Sequence, residues 1–398
     1  MSGSTPLSVF IVAGEKSGDD LGGKLIAALK QASSAPIVFA GVGGEAMAAQ
    51  GMRSLFPLED IAVMGIVAVL ARLPKIVQRV YQTVARVGQV QPDVLVIIDS
   101  PDFTHAVAKR VRAKWPEIPI IDYVSPSVWA WRQGRARKMR RYVDHVMALL
   151  PFEPAAHQRL GGPPCTYVGH PLIERLDSLR PNAAESARRG EQSLLPNPLI
   201  VILPGSRRSE ITHLMDDFGK TVALLAHQYP HAEFVLPAVA HVEALILEKM
   251  ANWPVKPQIL RGEAAKYAAF RTARAALAAS GTVTLELALA QVPTVVAYKV
   301  SKFEEPLRYV IKVPSIVLPN LILGQNAVPE LLQEKCQPAL LADALIKLIE
   351  PTPERENQLT QLKRLDALMQ LPDGSPAQAA AQIVLKYARN GKTGENSC

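Results

Sequence analysis

Ten residues contain the pattern that decides the fold: Val94-Leu95-Val96-Ile97-Ile98-Asp99-Ser100-Pro101-Asp102-Phe103. Five consecutive apolar residues are followed at once by a short polar turn with a proline. A continuous apolar run, rather than an alternating one, predicts a strand that is covered on both faces, as in a parallel sheet. The turn after such a strand lies at the carboxyl edge of the sheet, where ligands bind.

The same rhythm of apolar run, turn and helical pattern recurs on both sides of this stretch. In the first half the other runs are 9–13, 37–40, 118–124 and 146–150, and in the second half they are 199–203, 234–236, 275–278 and 294–297. After Pro338 only helical patterns follow, at 339–349, 354–370 and 377–389. A chain of 398 residues exceeds what one core usually organises. The sequence therefore predicts two doubly wound, Rossmann-like α/β domains facing each other across a cleft.

The expected boundaries follow composition. We predict a first domain over 1–175, a linker over 176–198 where Arg, Pro, Asn, Ala, Glu and Ser replace the apolar rhythm, a second domain over 199–350, and C-terminal helices over 351–398. Transferases, dehydrogenases and kinases share this outline, so the fold alone does not select the chemistry.

Charge and cysteine usage restrict the partners and the compartment. Lys plus Arg exceeds Asp plus Glu by 44 − 36 = 8, which predicts a surface that meets anions. The three cysteines are far apart, which argues against disulfides and a zinc site, and the N-terminus lacks a signal-peptide pattern. We expect a cytoplasmic protein.

The longest apolar stretch, 61–73, is too short to span a bilayer as a helix. Apolar residues at helical spacing and nearby basic residues instead favour a helix lying in the membrane surface. The residues predicted to face lipid or acyl chains are Met64, Ile66, Val67, Val69, Leu70 and Leu73. A second anionic-partner signal is the run of Arg132, Arg135, Arg137, Lys138, Arg140 and Arg141 just after Trp129 and Trp131. Solvated charge, anionic lipid, a phosphorylated acceptor and RNA all remain open for that run.

Two strand ends in the first half present acidic side chains. Asp99 follows its buried strand directly, where shielding from water would suit it to remove a proton from an attacking hydroxyl, although helix capping is the alternative. Glu15 precedes a helix within the turn Ala13-Gly14-Glu15-Lys16-Ser17-Gly18-Asp19, and it is a functional candidate. Ser17 is a candidate N-cap of that helix, and Asp19 is either its N-cap or functional. The stretch 18–25 has P-loop spacing, but Leu25 stands where Ser or Thr must bind magnesium, so we do not expect ATP there.

Two turns in the second half predict a nucleoside diphosphate site. Gly205, Ser206 and Arg207 follow one strand, and backbone amides with a guanidinium hold anions well. Ser280, Gly281 and Thr282 follow another, and Glu286 lies one helical turn beyond, where its carboxylate could accept ribose hydroxyls. A capped helix with an incidental Glu is the alternative. Because no Asp-x-Asp pair occurs, we predict no metal site, no cofactor and no metal requirement.

The segments that carry these residues resemble, together and in order, the lipid-A-disaccharide synthase family. The matching stretches are AGEKSGD from Ala13, GVGGEAM from Gly41, VMG from Val63, IDSPDF from Ile98, YVSPSVWAWR from Tyr123, LLPFE from Leu149, VGHPL from Val168, LPGSR from Leu203, SGTVTLE from Ser280, LPNLI from Leu318 and PELLQ from Pro329.

The resemblance implies a GT-B fold whose final helices return to the N-terminal domain, and an inverting transfer. The implied substrates are UDP-2,3-diacylglucosamine and 2,3-diacylglucosamine 1-phosphate, which give a β-1,6-linked disaccharide 1-phosphate and UDP. The resemblance assigns nucleotide binding to Arg207, Ser280, Gly281, Thr282, Glu286 and Asn320. It assigns the role of catalytic base to Asp99, and it places Glu15 and Ser17 near the reacting sugars. It also implies peripheral attachment to the inner membrane of a Gram-negative cell and a possible homodimer, with no nucleic acid. The alternatives are a UDP-N-acetylglucosamine epimerase or another UDP-sugar transferase of the same fold, and a non-catalytic binder of RNA or anionic lipid.

Overall fold

The computed structural model describes residues 6–62, 66–191, 197–300 and 313–393. Contacts divide the chain into two compact units, one formed by residues up to 171 together with those from 371 onward, the other by residues 172–370. Each unit is built on one six-stranded parallel sheet.

In the first unit, the four central strands are mainly buried and apolar, and the two edge strands are only partly buried. The strands are β1 (Leu7–Ala13), β2 (Ile37–Val42), β3 (Val94–Ile98), β4 (Ile120–Tyr123), β5 (His145–Ala148) and β6 (Cys165–Tyr167). The helices are α1 (Lys16–Ala32), α2 (Glu45–Ala49), α3 (Ile66–Val90), α4 (Pro101–Lys114), α5 (Gly134–Met139), α6 (Glu153–Leu160) and, from the end of the chain, α16 (Pro376–Thr393). The strand order is β2-β1-β3-β4-β5-β6, so the winding reverses between β1 and β3.

Both faces of this sheet are covered, as its continuous apolar strands require. One face packs Val9 and Ile11 against α1 and α16, and the other packs Phe10 and Val12 against α3 and α4. The last helix of the chain therefore completes the core of the first unit, as the resemblance implied.

The second unit repeats the plan. Its strands are β7 (Leu199–Leu203), β8 (Glu233–Ala238), β9 (Gln258–Arg261), β10 (Ala275–Ala279), β11 (Thr294–Tyr298) and β12 (Glu330–Leu332), in the order β12-β11-β10-β7-β8-β9. Its helices are α7 (Leu176–Leu179), α8 (Ala183–Glu191), α9 (Arg208–Gln228), α10 (Ala240–Met250), α11 (Glu263–Thr272), α12 (Val283–Leu289), α13 (Leu318–Leu323), α14 (Pro338–Ile349) and α15 (Pro353–Met369). The winding reverses between β7 and β10.

The stretch expected to be a linker contains α7 and α8, and both belong to the second unit. Charged contacts rather than apolar periodicity hold α8 in place, because Arg189 donates to the carbonyls of Ala290 and Gln291 at 3.1 and 3.2 Å, and Arg271 binds Glu185 at 2.9 Å. The C-terminal helices divide, with α15 in the second unit and α16 in the first.

Asp19 has a structural role that differs from the expected one. Glu15, not Asp19 or Ser17, occupies the N-cap position of α1. The fully buried Asp19 carboxylate instead accepts hydrogen bonds from the backbone N–H groups of Gly44, Ala46 and Met47 at 2.7, 2.9 and 3.1 Å. It therefore joins α1 to the start of α2 and fixes the turn after β2.

Asp19→Ala should destabilise the protein by about 2–4 kcal/mol, because it leaves three backbone donors, all on buried or partly buried residues, without their acceptor. Asp20→Ala is the matched control, since Asp20 is exposed and pairs with the exposed Lys16, and it should cost no more than about 0.5 kcal/mol. Urea unfolding followed by circular dichroism measures both. Equal midpoints for the two variants would contradict the structural role of Asp19.

Candidate active site

Three polar side chains of the first unit meet where the winding of the sheet reverses. Glu15 follows β1 and Asp99 follows β3, and these strands are neighbours in the sheet. Ser17 Oγ donates a hydrogen bond to Asp99 Oδ2 at 3.1 Å, and Glu15 hydrogen-bonds to Asp99 as well. The sequence-predicted Glu15, Ser17 and Asp99 are thus brought together at the position where open α/β sheets bind ligands.

The backbone around Asp99 is held in an uncommon conformation. Asp99 and Ser100 have φ values of 56° and 44°, and Val124, which follows the adjacent strand β4, has φ 82°. Such values are costly for residues other than glycine, most of all for β-branched Val, and they persist only where the surroundings impose them. The Asp99 N–H donates to Tyr123 O at 3.1 Å, and the Ser100 N–H donates to Asp99 Oδ1 at 2.7 Å.

Gly14 is required at this site by close approach. A Cβ atom at position 14 would lie 2.0 Å from the Cβ atom of Ser100. The turn after β1 therefore packs directly on the turn after β3, and this contact keeps Glu15 beside Asp99.

The Glu15 carboxyl group has a strongly perturbed pKa. Its hydrogen bond to Asp99, its partial burial and the negative charge of Asp99 together raise the pKa of Glu15 to about 7. Below about pH 7, Glu15 therefore holds a proton that it donates to the Asp99 carboxylate, and the two groups form one hydrogen-bonded acid pair.

A cavity of about 560 Å³ lies in the second unit, a volume that is typical of small-molecule sites. Seven of the predicted nucleotide residues line it: Gly205, Ser206, Arg207, Ser280, Gly281, Thr282 and Glu286. The turns that carry them follow β7 and β10, the two neighbouring strands between which the winding of this sheet reverses.

In the turn after β7, two backbone N–H groups donate hydrogen bonds to a side chain of the chain itself. Glu210 Oε2 accepts the N–H groups of Ser206 and Arg207 at 2.9 and 3.1 Å, and a Cβ atom at Gly205 would lie 2.3 Å from the same oxygen. These two amides were expected to bind a diphosphate, but a carboxylate of the chain already occupies them. The Arg207 guanidinium, 73% exposed and 3.3 Å from Glu210 Oε1, is the cation that this turn presents to the cavity.

The turn after β10 is arranged differently. Within the described residues the N–H groups of Gly281 and Thr282 donate to no protein acceptor, and α12 begins at Val283. Ser280 Oγ donates to Ile316 O at 2.8 Å, which fixes the turn.

Glu286 faces the cavity with a partner that the sequence did not reveal. Lys266 Nζ, on α11, donates to Glu286 Oε2 at 2.7 Å, and both residues line the cavity. The two residues lie on separate helices, twenty positions apart, so no pattern in the chain could indicate this pair.

Asn320 does not line the cavity. Its buried amide donates to Val328 O at 2.9 Å and to Glu330 Oε1 at 2.8 Å, and its Oδ1 accepts Val328 N–H. Glu330 in turn accepts the N–H of Ile316, whose carbonyl receives Ser280 Oγ. Asn320 thus supports the turn at Ser280 from behind.

The structure describes the side-chain exposure of only one of the predicted lipid-facing residues, Leu73. Met64 falls outside the described residues, and α3 includes Ile66, Val67, Val69 and Leu70 without a description of their side chains. Leu73 is 47% exposed. None of the described helices is both long enough and apolar enough to cross a bilayer.

The described residues contain no cluster of three or more His, Cys, Asp or Glu side chains that could hold a metal ion. The charged groups around the cavity include Arg207, Lys266, Glu286 and the capping Glu210.

Comparison with known proteins agrees with this geometry. Residues 9–384 match the family model of lipid-A-disaccharide synthetase. The lipid-A-disaccharide synthase of Nitrobacter winogradskyi is 52% identical over 385 residues, covering 96% of both chains, and that of Bradyrhizobium diazoefficiens is 50% identical over 394 residues, covering 98% of this chain and all of the relative.

Solved structures support the fold at much lower identity. UDP-GlcNAc 2-epimerase of Neisseria meningitidis superposes with a TM-score of 0.61 at 12% identity, covering 96% of this chain and 99% of its own. MurG of Acinetobacter baumannii superposes with a TM-score of 0.56 at 13% identity, covering 96% of this chain and all of its own. These likenesses show the GT-B fold, and the family match decides against the epimerase and non-catalytic alternatives. The chain belongs to the lipid-A-disaccharide synthase family and is a glycosyltransferase that forms the lipid A disaccharide.

Proposed function

We propose that the chain joins UDP-2,3-diacylglucosamine to 2,3-diacylglucosamine 1-phosphate with inversion, and that Asp99 is the general base. The observation that carries this proposal is the hydrogen-bonded group of Asp99, Ser17 and Glu15 at the reversal point of the first sheet. Family membership supports a UDP-sugar donor and a lipid monosaccharide phosphate acceptor.

In this mechanism the acceptor 6-hydroxyl oxygen attacks the anomeric carbon of the donor. A new C–O bond forms, the bond from that carbon to the diphosphate breaks, and UDP leaves with the electron pair. Asp99 accepts the proton of the hydroxyl, which strengthens the nucleophile as charge develops. Ser17 and protonated Glu15 donate to the Asp99 carboxylate and hold its orientation.

The second unit is proposed to bind UDP in its cavity. Arg207 and the N–H groups of Gly281 and Thr282 would offset the charge of the leaving diphosphate, with no metal in the proposal. Ser206, Gly205 and Ser280 shape the turns, and Glu286, oriented by Lys266, would accept the ribose hydroxyls. Asn320 acts through the turn at Ser280 rather than by contact with UDP.

The acyl chains of both substrates call for a surface that meets the membrane, and α3 supports one. Leu73, Val77 and Tyr81 recur every four residues, and they are 47%, 43% and 56% exposed, so they form an apolar stripe on one side of the helix. Peripheral attachment to the inner membrane and the homodimer that the resemblance implies remain predictions.

Asp99→Asn should lower kcat by about a thousandfold or more, because general-base catalysis and orientation of the hydroxyl are both lost. The affinity for UDP should stay within about twofold of wild type, because Asp99 belongs to the first unit and the proposed UDP cavity is lined by residues of the second. Release of UDP in a coupled assay and titration calorimetry with UDP measure the two quantities. Asp102→Asn, an exposed carboxylate three residues away, is the control and should keep most of kcat. Wild-type turnover in Asp99→Asn would remove Asp99 from the base role.

The acid pair predicts a pH profile. Below about pH 7 Glu15 is protonated and donates the hydrogen bond that orients Asp99; above about pH 7 Glu15 is ionised and that hydrogen bond is lost. We expect kcat/KM to fall as the pH rises through about 7. Glu15→Gln cannot ionise, so that inflection should disappear from its profile. An unchanged inflection in Glu15→Gln would assign the titration to another group.

Leu73→Ser with Val77→Ser should move the protein from the membrane fraction to the supernatant, because two exposed apolar side chains no longer enter the interface. Leu224→Ser, at a leucine of equal 47% exposure in the second unit, is the control. Flotation with phospholipid vesicles measures the bound fraction. Equal flotation of the double variant and the control would argue against α3 as the membrane surface.

A further inference from the structure

A basic groove runs between α4 and α5 in the first unit. A cavity of about 380 Å³ is lined by Lys109, Arg132, Gly134, Arg135, Lys138 and Tyr142. It shares Lys109, Arg135 and Tyr142 with a smaller cavity of about 160 Å³ that reaches Pro101 at the start of α4. We call these two cavities the α4–α5 groove.

The wall of the groove is fixed by buried hydrogen bonds. Tyr142 and His105, 6% and 4% exposed, are joined by a 3.0 Å hydrogen bond between the hydroxyl and Nδ1. His105 Nε2 lies 3.2 Å from Asp122 Oδ2, on the central strand β4. The Tyr142 wall of the groove is therefore held in place by buried contacts.

Three cations of the larger cavity have no carboxylate partner in the described part of the chain. They are the exposed Arg132, Lys109 and Lys138. Arg135 pairs with Asp102, at 3.3 Å, and the Asp102 side chain is 93% exposed. Arg110 lines the smaller cavity, so five cations face one solvated carboxylate and make a site for an anion, and guanidinium groups bind phosphate oxygens well.

The segment that carries Arg132 is itself held rigidly. Ser125 Oγ and His157 Nε2 are 2.8 Å apart, and Trp129 Nε1 donates to Glu153 Oε1 at 3.0 Å. The Arg132 guanidinium stacks on the Trp131 ring at 4.3 Å. The motifs around Trp129 and Glu153 therefore preorganise the mouth of the groove.

The groove also lies close to the proposed base. Pro101 lines the smaller cavity and is two residues beyond Asp99, so their Cα atoms are at most about 7.6 Å apart. In the acceptor of the proposed reaction, one sugar ring separates the attacking 6-hydroxyl from the 1-phosphate. An acceptor with its hydroxyl at Asp99 would bring its phosphate toward the groove.

We propose that the α4–α5 groove binds the phosphate monoester of the acceptor, through Arg132, Lys109 and Lys138. This inference rests on the proposed function, since it locates one end of the acceptor when the other end is at Asp99. Phospholipid headgroups share the same phosphate chemistry, so the test separates the two sources.

The test compares three proteins. They are the double variant that carries both Lys109→Gln and Arg132→Gln, the control Lys114→Gln, and wild type. Lys114 is exposed on the same helix but lines neither cavity. In neutral detergent micelles without phospholipid, the double variant should raise KM for 2,3-diacylglucosamine 1-phosphate about tenfold, because charge-assisted contacts to phosphate are lost. With the dephosphorylated acceptor, all three proteins should agree within about twofold. Calorimetry with UDP should give equal affinities.

Product formation by wild type and Lys114→Gln shows that the proposed function stands whatever the double variant does. An unchanged KM in the double variant would then overturn the phosphate site alone. An equal rise of KM for both acceptors would overturn it too, because the phosphate would not be the group recognised. A rise that appears only with anionic phospholipid vesicles would assign the groove to headgroups instead. Because all substituted side chains are exposed, the thermal unfolding midpoints of the variants should match that of wild type. The single variant Lys138→Gln is a second test, and it should also raise KM for the phosphorylated acceptor.

Discussion

The proton held between Glu15 and Asp99 is the interaction on which the proposed active site depends. Two ionised carboxyl groups placed side by side repel each other, so below about pH 7 Glu15 keeps a proton and donates it to Asp99. The result is a single negative charge with a fixed direction, supported by the Ser17 hydroxyl. The close contact of Gly14 with Ser100 and the left-handed backbone at Asp99 both serve to maintain this pairing.

Parallel sheets explain why chemistry gathers at these particular turns. In each unit the winding reverses between two neighbouring strands, β1 with β3 and β7 with β10, and the turns after those strands diverge and leave room for a ligand. The first unit has acid groups at its reversal point, and the second has the ion pairs Arg207–Glu210 and Lys266–Glu286 at its own. Among the described residues, the N–H groups of Gly281 and Thr282 donate to no acceptor there, so the second site offers cations and N–H donors to an anion, while the first offers a carboxylate to a hydroxyl.

The sequence predicted the two parallel α/β units because their strands are short continuous apolar runs, and it placed Glu15, Asp99 and Ser280 correctly at strand ends. It could not predict contacts set by tertiary packing. Glu210 caps the turn at Ser206, Asp19 caps a different helix from its own, and Lys266 meets Glu286 across two helices. Helix α8 has no apolar periodicity, and its Arg189 contacts are to backbone carbonyls, which leave no mark in the sequence. Asn320 looked like a ligand residue by resemblance, yet its amide is used within the fold.

The ionisation of Glu15 itself is the most direct test of the shared proton. Carbon-13 NMR of protein labelled at glutamate carboxyl groups, with Glu15→Gln used to assign the signal, reports the midpoint of its titration. We expect a midpoint near 7 in wild type and a clearly lower one in Asp99→Ala, where the accepting carboxylate and its charge are absent. A Glu15 midpoint in the ordinary glutamate range in wild type would contradict the shared proton and the mechanism built on it.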